Sequence, residues 1–247
     1  MTQPHGPLYG VKIVACSTAQ AGTVPYMLMA DLGAEVIKIE VPGVGDNSRG
    51  STVLPGMPST YFETNNRGVR SVTLNLKTAE GREILKKLVA KADIFGQNFR
   101  PGAAEKNGFG YDELRKVNPR LVYMSVSGYG PKGPNAGLPG TDSMAQALGG
   151  IAEAYSTPGQ PFRTGIVSVA DETCAILAFG GALAALIREC LEDLLAQSGL
   201  VVASELGIEV LAVLVDNVST WRAEFRDEFC RCRNLRRVTH SLRRLHW

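Results

Sequence analysis

Short runs of branched apolar residues alternate with amphipathic stretches through the first 130 residues or so of the chain. That alternation predicts an α/β protein on a parallel sheet: the apolar runs are strands buried on both faces, and the amphipathic stretches are helices covering them. Val11–Ala15 reads as the first strand, followed by a loop of small residues, Ser17 to Gly22, and a helix to Leu32 stopped by Gly33. Val36–Ile39 and Val72–Leu76 read as the second and third strands. Between Thr78 and Ala92, Ile84, Leu85, Leu88 and Val89 recur at helical spacing while Lys86, Lys87 and Lys91 face outward. A fourth strand is expected over Asp93–Asn98, a short helix over Tyr111–Val117 ahead of Pro119, and a fifth strand over Leu121–Ser127. The fold class expected is a Rossmann-like parallel sheet flanked by helices.

Gly128–Gly140 holds five glycines and three prolines in thirteen residues. Such density excludes regular helix and marks a loop wrapping the edge of the sheet. Two helices are expected beyond it, over Ser143–Ala154 and Val169–Ile187, with Ser168 and Asp171 spaced as a capping pair at the start of the second. Beyond Arg188 the character changes. No lysine follows Lys132, and residues 230–247 carry six arginines and no acid. The expected division is therefore a Rossmann-like domain over 1–188 and a divergent segment over 189–247. The change marks either a domain boundary or a chain whose C-terminal part has been replaced, as a shifted reading frame would do.

Composition narrows the function classes. Across 247 residues, 45% hydrophobic and 20% charged content suits a globular protein with a real core. A net charge of +2 gives no argument for nucleic acid, and the odd count of five scattered cysteines gives no disulfide framework. A reducing, cytoplasmic setting fits that usage. MTQPHGPLYG lacks a basic region followed by an apolar one, so no signal peptide is read there. The most apolar stretch, Ile176–Ile187, is shorter than the roughly 20 residues a membrane span needs, and reads as a buried helix.

Missing motifs decide much of the chemistry. His5 is the only histidine before the tail, so a Ser–His–Asp or Cys–His nucleophile lacks its base. No G-x-S-x-G elbow or G-x-x-x-x-G-K-[ST] loop is present, and Gly43-Val44-Gly45 does not continue as a dinucleotide fingerprint. Cys230, Cys232, His240 and His246 lack zinc-site spacing, and no metal is expected. Carboxylate chemistry remains. Asp171 opens an apolar helix, whose N-terminal partial charge favours an ionised, nucleophilic aspartate. On these grounds alone helix capping is the favoured reading of Asp171, and of Asp142 after Gly140 and Thr141 even more so. Lys77, Arg100 and Lys106 follow strand ends, where open α/β sheets place their ligand crevice, and they read either as phosphate-holding or as solvated cations.

An ordered series of segments carries a resemblance. It begins with Gly10-Val11-Lys12-Ile13, Ala19-Gln20-Ala21-Gly22 and the run Asp31 to Glu40, then Pro42 to Asp46 with Arg49. Asn65-Asn66-Arg67, Leu74-Asn75-Leu76-Lys77, Asn98-Phe99-Arg100-Pro101-Gly102 and Gly108 to Tyr111 follow. Asn118 to Leu121, Ser127-Gly128-Tyr129-Gly130 with Gly133-Pro134, and Ala170-Asp171 complete it. Over residues 9–188 the chain resembles the family III CoA-transferases, the CaiB–BaiF group that includes formyl-CoA:oxalate CoA-transferases and α-methylacyl-CoA racemases. The resemblance implies a Rossmann-like large domain in an interlocked homodimer. It implies Asp171 as the catalytic nucleophile, with coenzyme A lying along Gln20 and Ala21, Leu74, Asn75, Leu76 and Lys77, Asn98, Phe99 and Arg100, Lys106, and Ser127, Gly128, Tyr129 and Gly130. The implied partners are an acyl-CoA and a small carboxylic acid, with no nucleic acid and no membrane.

The racemase branch carries a histidine immediately before the aspartate matching Asp142; here Thr141 stands there, which favours transfer. Val41 replaces an arginine common after the second strand in formyl-CoA transferases. The family's glycine-rich second-domain segments find no match after Arg188, which favours the replaced-tail reading. The alternatives are an impaired or non-catalytic CoA-binding protein, a racemase, and a nucleotide-dependent oxidoreductase.

Overall fold

The computed structural model describes residues 6–198 apart from 52, 53, 162 and 166, and it describes the side chains of the last helix only as far as Glu192. His5, the cluster Cys230, Cys232, His240 and His246, and most of the segment expected to diverge lie outside the described residues. Five strands form one parallel sheet in the order β3-β2-β1-β4-β5. They are β1 Lys12–Cys16, β2 Glu35–Glu40, β3 Arg70–Thr73, β4 Ile94–Gln97 and β5 Val122–Ser125. The helices, in chain order, are α1 Ala19–Asp31, α2 Thr60–Asn65, α3 Ala79–Val89, α4 Ala103–Lys106, α5 Tyr111–Val117, α6 Asp142–Leu148, α7 Ile151–Ala154 and α8 Val169–Ser198. A 3-10 turn, Asn47–Gly50, precedes α2.

The two-residue period of β1 builds both halves of the core. Ile13 and Ala15 face one side, joined by Leu8, Tyr26 and Met29, by Val36 and Ile94, and by Ala182 of α8. Val14 and Cys16 face the other, joined by Ile39 and Phe95, by Leu85 and Val89 of α3, and by Leu114 of α5. Helices therefore cover both faces, which leaves β1 and β4 buried along nearly their whole length while the edge strand β3 stays exposed. The expected fold class is the observed one.

Three boundaries differ from expectation. The third strand ends at Thr73, and Leu74–Lys77 form the turn into α3: the Asn75 side chain accepts from Lys77 N at 3.1 Å, and Thr78 caps α3 at Gly81 N. The helix expected over Ser143–Ala154 is two helices, because Gly150 adopts φ +83°, a left-handed conformation that ends one and starts the next. The helix expected to end at Ile187 continues to Ser198, across the expected 188/189 division.

That last helix is not simply buried. Ala175 and Ala182 are buried, and Ala178, Phe179, Leu183 and Leu186 pack on the core beside α1. On its other face Ile176, Leu177 and Ile187 are more than half exposed. Val169–Glu192 is also long and apolar enough, by length and composition, to cross a membrane. Only 11% of its most apolar window is buried, so it packs against α1 along a narrow stripe and leaves the rest uncovered.

Candidate functional site

Strand order reverses beside β1: β2 and β3 lie on one side, β4 and β5 on the other. Open α/β sheets bind ligands at the C-terminal ends of the strands flanking such a switch point, because the diverging connections leave a crevice there. The chain leaving β1 is Ser17 and Thr18, and the chain leaving β4 is Asn98. Asn98 clamps the two: its Oδ1 accepts from Thr18 N at 3.0 Å and its Nδ2 donates to Thr18 O at 2.7 Å. Ala19, the next residue, has φ +58°, the only positive φ at a non-glycine residue among those described. Gly22 lies under the Asn98 amide, where a Cβ would come within 2.4 Å of Nδ2. Of the residues expected as a loop after β1, Ser17 and Thr18 are the connection and Ala19 to Gly22 are the first turn of α1, with glycine where Asn98 crosses it.

Onto this turn α8 brings its own N-terminus. Asp171 is half-buried, and the Ala21 N–H donates to its carboxylate. Glu172 accepts from Gln20 Nε2, while Tyr61 of α2 donates to Gln20 Oε1 at 3.3 Å. These bonds orient the Gln20 amide, oxygen toward Tyr61 and nitrogen toward Glu172.

The cap of α8 comes from another helix. Asp142 Oδ1 accepts from Ala170 N at 2.9 Å and from Asp171 N at 3.1 Å, while Ser168 contributes its backbone carbonyl to Glu172 N. Asp142 does not cap its own helix; Thr141 does, accepting from Met144 N. The capping role expected for Asp142 is real but acts 28 and 29 residues away along the chain.

Burial and then the charge of Asp142 push the Asp171 carboxyl above its ordinary value, against the Ala21 hydrogen bond; Glu172 adds to the rise. The helix terminus therefore does not set the balance here, because desolvation and a neighbouring carboxylate outweigh it. The Tyr61 phenol is raised as well, by burial and then by the charges of Asp171, Asp46, Glu172 and Asp142. Among the described residues no salt bridge reaches Asp142, Asp171 or Glu172. A half-buried carboxylate of raised basicity, met by the Ala21 N–H and, among the described residues, without a salt bridge, is suited to nucleophilic attack on an acyl carbon.

The other sequence candidates lie along the same C-terminal edge of the sheet. Leu74–Lys77 follow β3, Asn98–Arg100 follow β4, and Ser127–Gly130 follow β5 by one residue. Leu74 is tied to β2 by a 3.0 Å bond from its N–H to Glu40 O, and Arg82 donates to the carbonyls of Leu76 and Lys77. The Phe99 ring is partly exposed and meets Phe109 edge-on at 5.7 Å. Lys77, Arg100 and Lys106 are exposed. Among the described residues only Gln20 and Ala21 of the expected CoA-binding set reach Asp171 or Glu172 by hydrogen bond. Tyr61, Glu172 and Gln146, the last bonded to Asp142, belong to the site but were not singled out from sequence; the adjacency of Glu172 to Asp171 was the one available signal.

The chain is similar in sequence and fold to known proteins. The chain is 42% identical over 185 residues to the acetyl-CoA:oxalate CoA-transferase of Acetobacter aceti, covering 74% of this chain and 48% of that protein. It is 37% identical over 185 residues to the human succinyl-CoA:glutarate CoA-transferase, covering 74% of this chain and 42% of that protein. A crystal structure of a CAIB/BAIF family protein from Brucella suis superposes with a TM-score of 0.71 at 36% identity, covering 79% of this chain and 51% of that one. The chain thus spans about half the length of the relatives it matches. The family model for CoA-transferase family III matches residues 8–195, and the chain belongs to that family.

Proposed function

We propose that the protein acts in transfer of coenzyme A from an acyl-CoA to a small carboxylic acid, with Asp171 as the residue that carries the acyl group. The observation that supports this most is the Asp171 carboxylate itself, half-buried at the switch point, raised in basicity and met by the Ala21 N–H.

Asp171 attacks the donor thioester carbonyl, forming an acyl–aspartyl anhydride and releasing the CoA thiolate. The thiolate attacks the aspartyl carbonyl, giving an aspartyl–CoA thioester and the free donor acid. The acceptor carboxylate attacks that thioester, forming a second anhydride and freeing the thiolate again. The thiolate then takes the acceptor acyl group, which leaves new acyl-CoA and restores Asp171. No separate base is needed, consistent with a described core without histidine. Backbone amides of the glycine-rich loops stabilise the oxyanions that develop at each attack, since the Ala170 and Asp171 N–H groups are held by Asp142. Thr141, whose hydroxyl caps α6, supports transfer over racemisation, since it has no proton to exchange near neutral pH.

In this reading the loops at the sheet edge, Leu74–Lys77, Asn98–Arg100, Lys106 and Ser127–Gly130, hold coenzyme A. A homodimer belongs to the same reading, supported by the uncovered Ile176, Leu177 and Ile187 on α8; sedimentation of the chain tests it. The chemistry is tested by incubating the chain with acetyl-CoA, trapping with hydroxylamine and mapping the peptides by mass. A hydroxamate at Asp171 is expected. CoA binding with no adduct would leave a binding protein, and NAD binding without CoA binding would overturn the reading altogether.

A further inference from the structure

Gln146 is a polar side chain with 0% exposure, and all of its hydrogen-bonding groups are spent at one point. Its Nε2 donates to Asp142 Oδ2 and, at 3.3 Å, to Val167 O, while its Oε1 accepts from Gly165 N at 2.7 Å. It thus grips the segment immediately before α8 and, one helical turn along α6, the carboxylate that seats α8. Asp142 is shared without overlap: Oδ2 belongs to Gln146, and Oδ1 to the backbone N–H groups of Ala170 and Asp171. A fully buried amide costs several kcal/mol if left unpaired, so the pairing is an obligatory one that fixes the Asp142 rotamer.

We propose that Gln146 is a positioning residue for Asp171, acting through Asp142: it locks the carboxylate that seats the first turn of α8 and ties the incoming chain to the same point. The functional part of this rests on Asp171 being the acyl carrier; the geometric part does not. The titratable groups facing the device are Asp142 on α6, Asp171, Glu172 and the Cys174 thiol on α8 and Tyr61 on α2, while α1 presents Gln20 and no charged group at this end. A purely space-filling glutamine would be replaceable by leucine without effect on any of them. A positioning glutamine would not.

Two variants of the full chain separate these roles. Gln146→Leu removes both halves of the grip. Gln146→Glu keeps the acceptor for Gly165 N but can donate to Asp142 only while its carboxyl is protonated, so its effect should depend on pH. The first readout needs no transfer activity: carbodiimide coupling of glycinamide, which requires a protonated carboxyl, followed across pH on the Asp171 peptide by mass spectrometry. Loss of the ordered Asp142 charge should bring the Asp171 labelling midpoint down in Gln146→Leu. Gln146→Glu should match the wild type near pH 5, and once its carboxyl ionises toward pH 8 it should repel Asp142 and break the grip, so that the rate of adduct formation from acetyl-CoA falls there as in the leucine variant. The second readout is the rate of adduct formation from acetyl-CoA, expected to fall about tenfold in the leucine variant with CoA affinity unchanged. A folded Gln146→Leu with the wild-type labelling profile would overturn the proposal. Should that variant fail to fold, Gln146→Glu decides, and identical behaviour to wild type at both pH values would overturn it. A wild-type chain that forms no adduct would sink the transferase reading while leaving the labelling profiles to judge Gln146.

Discussion

Glu40 and Asp46, at the end of β2, and Asp142, Asp171 and Glu172, where α6, α8 and α1 meet, are carboxylates gathered at one edge of one sheet. In the first group every charge is answered. Asp46 pairs with the buried Lys38 ammonium and also accepts from Ser48 N and Oγ, and Asn66 takes another Lys38 proton at 2.7 Å. Glu40 takes a two-pronged bond from Arg49, both prongs at 2.8 Å, and the Arg49 guanidinium lies over the Phe62 ring at 3.7 Å. Burial alone would raise the Glu40 acid, but Arg49, Ser71 and the Asp46 N–H outweigh it and bring the group to about 2. In the second group, among the described residues, only amides answer the charge, and the Asp171 acid rises. A saturated network orders a loop, whereas a carboxylate left without a cation keeps its basicity for a substrate.

The contrast can be broken at either end. Asp171→Asn keeps the shape of α8 and its cap but removes the attacking oxygen, so adduct formation should fall at least about a thousandfold with the thermal midpoint nearly unchanged. At the other end Lys38→Met strands the buried Asp46 charge and should cost about 3–5 kcal/mol in a urea titration. No substitution in the Asp171 corner that merely removes charge should cost as much, because there is no counter-charge to strand.

Acid should reach the raised Asp171 carboxyl before it reaches Glu40, but stability is lost through the saturated group. The Glu40 acid is lowered from 4.5 to about 2 by its partners in the fold. The stability it contributes is therefore complete above about pH 4.5 and is lost as pH falls toward 2. Screening at the half-exposed Arg49 holds that loss to about 2 kcal/mol. Unfolding free energy measured against pH in wild type and Glu40→Gln should show the slope in the former alone. Gly22→Ala forces a methyl into the Asn98 amide that clamps Thr18, for about 2 kcal/mol of destabilisation and a slackened first turn of α1. The smallest effect should come from Asp142→Asn, which keeps an oxygen for the Ala170 and Asp171 N–H groups but removes the charge. The Asp171 acid should fall, moving the acid limb of adduct formation to lower pH.

The scaffold was readable because its signals are local. The runs Val11–Ala15 and Val36–Ile39, and the apolar stripe from Ile84 to Val89, each lie within a few residues of the observed elements. Errors arose where one residue's conformation decided the outcome, as at Gly150, or where polar turn chemistry after Thr73 ended a strand that apolar Leu74 and Leu76 suggested would continue. The site was legible only in its central residue. Asp142 lies 29 residues before Asp171, Tyr61 41 residues beyond Gln20, and Gln20 152 residues before Glu172. No periodicity spans such distances; the sheet's topology makes them neighbours. Burial likewise reversed the sign expected from the α8 N-terminus, and a sequence pattern does not tell how deep a carboxylate will sit.

The account turns on Asp171 being the carboxylate that reacts. Incubation of the chain with acetyl-CoA, a hydroxylamine quench and peptide mapping tests it directly. The predicted result is a hydroxamate confined to the peptide containing Asp171, absent from Asp171→Asn and absent from the peptides of Glu40, Asp46 and Asp142. Saturable CoA binding with no modified peptide, or a hydroxamate on any other carboxylate, would contradict it.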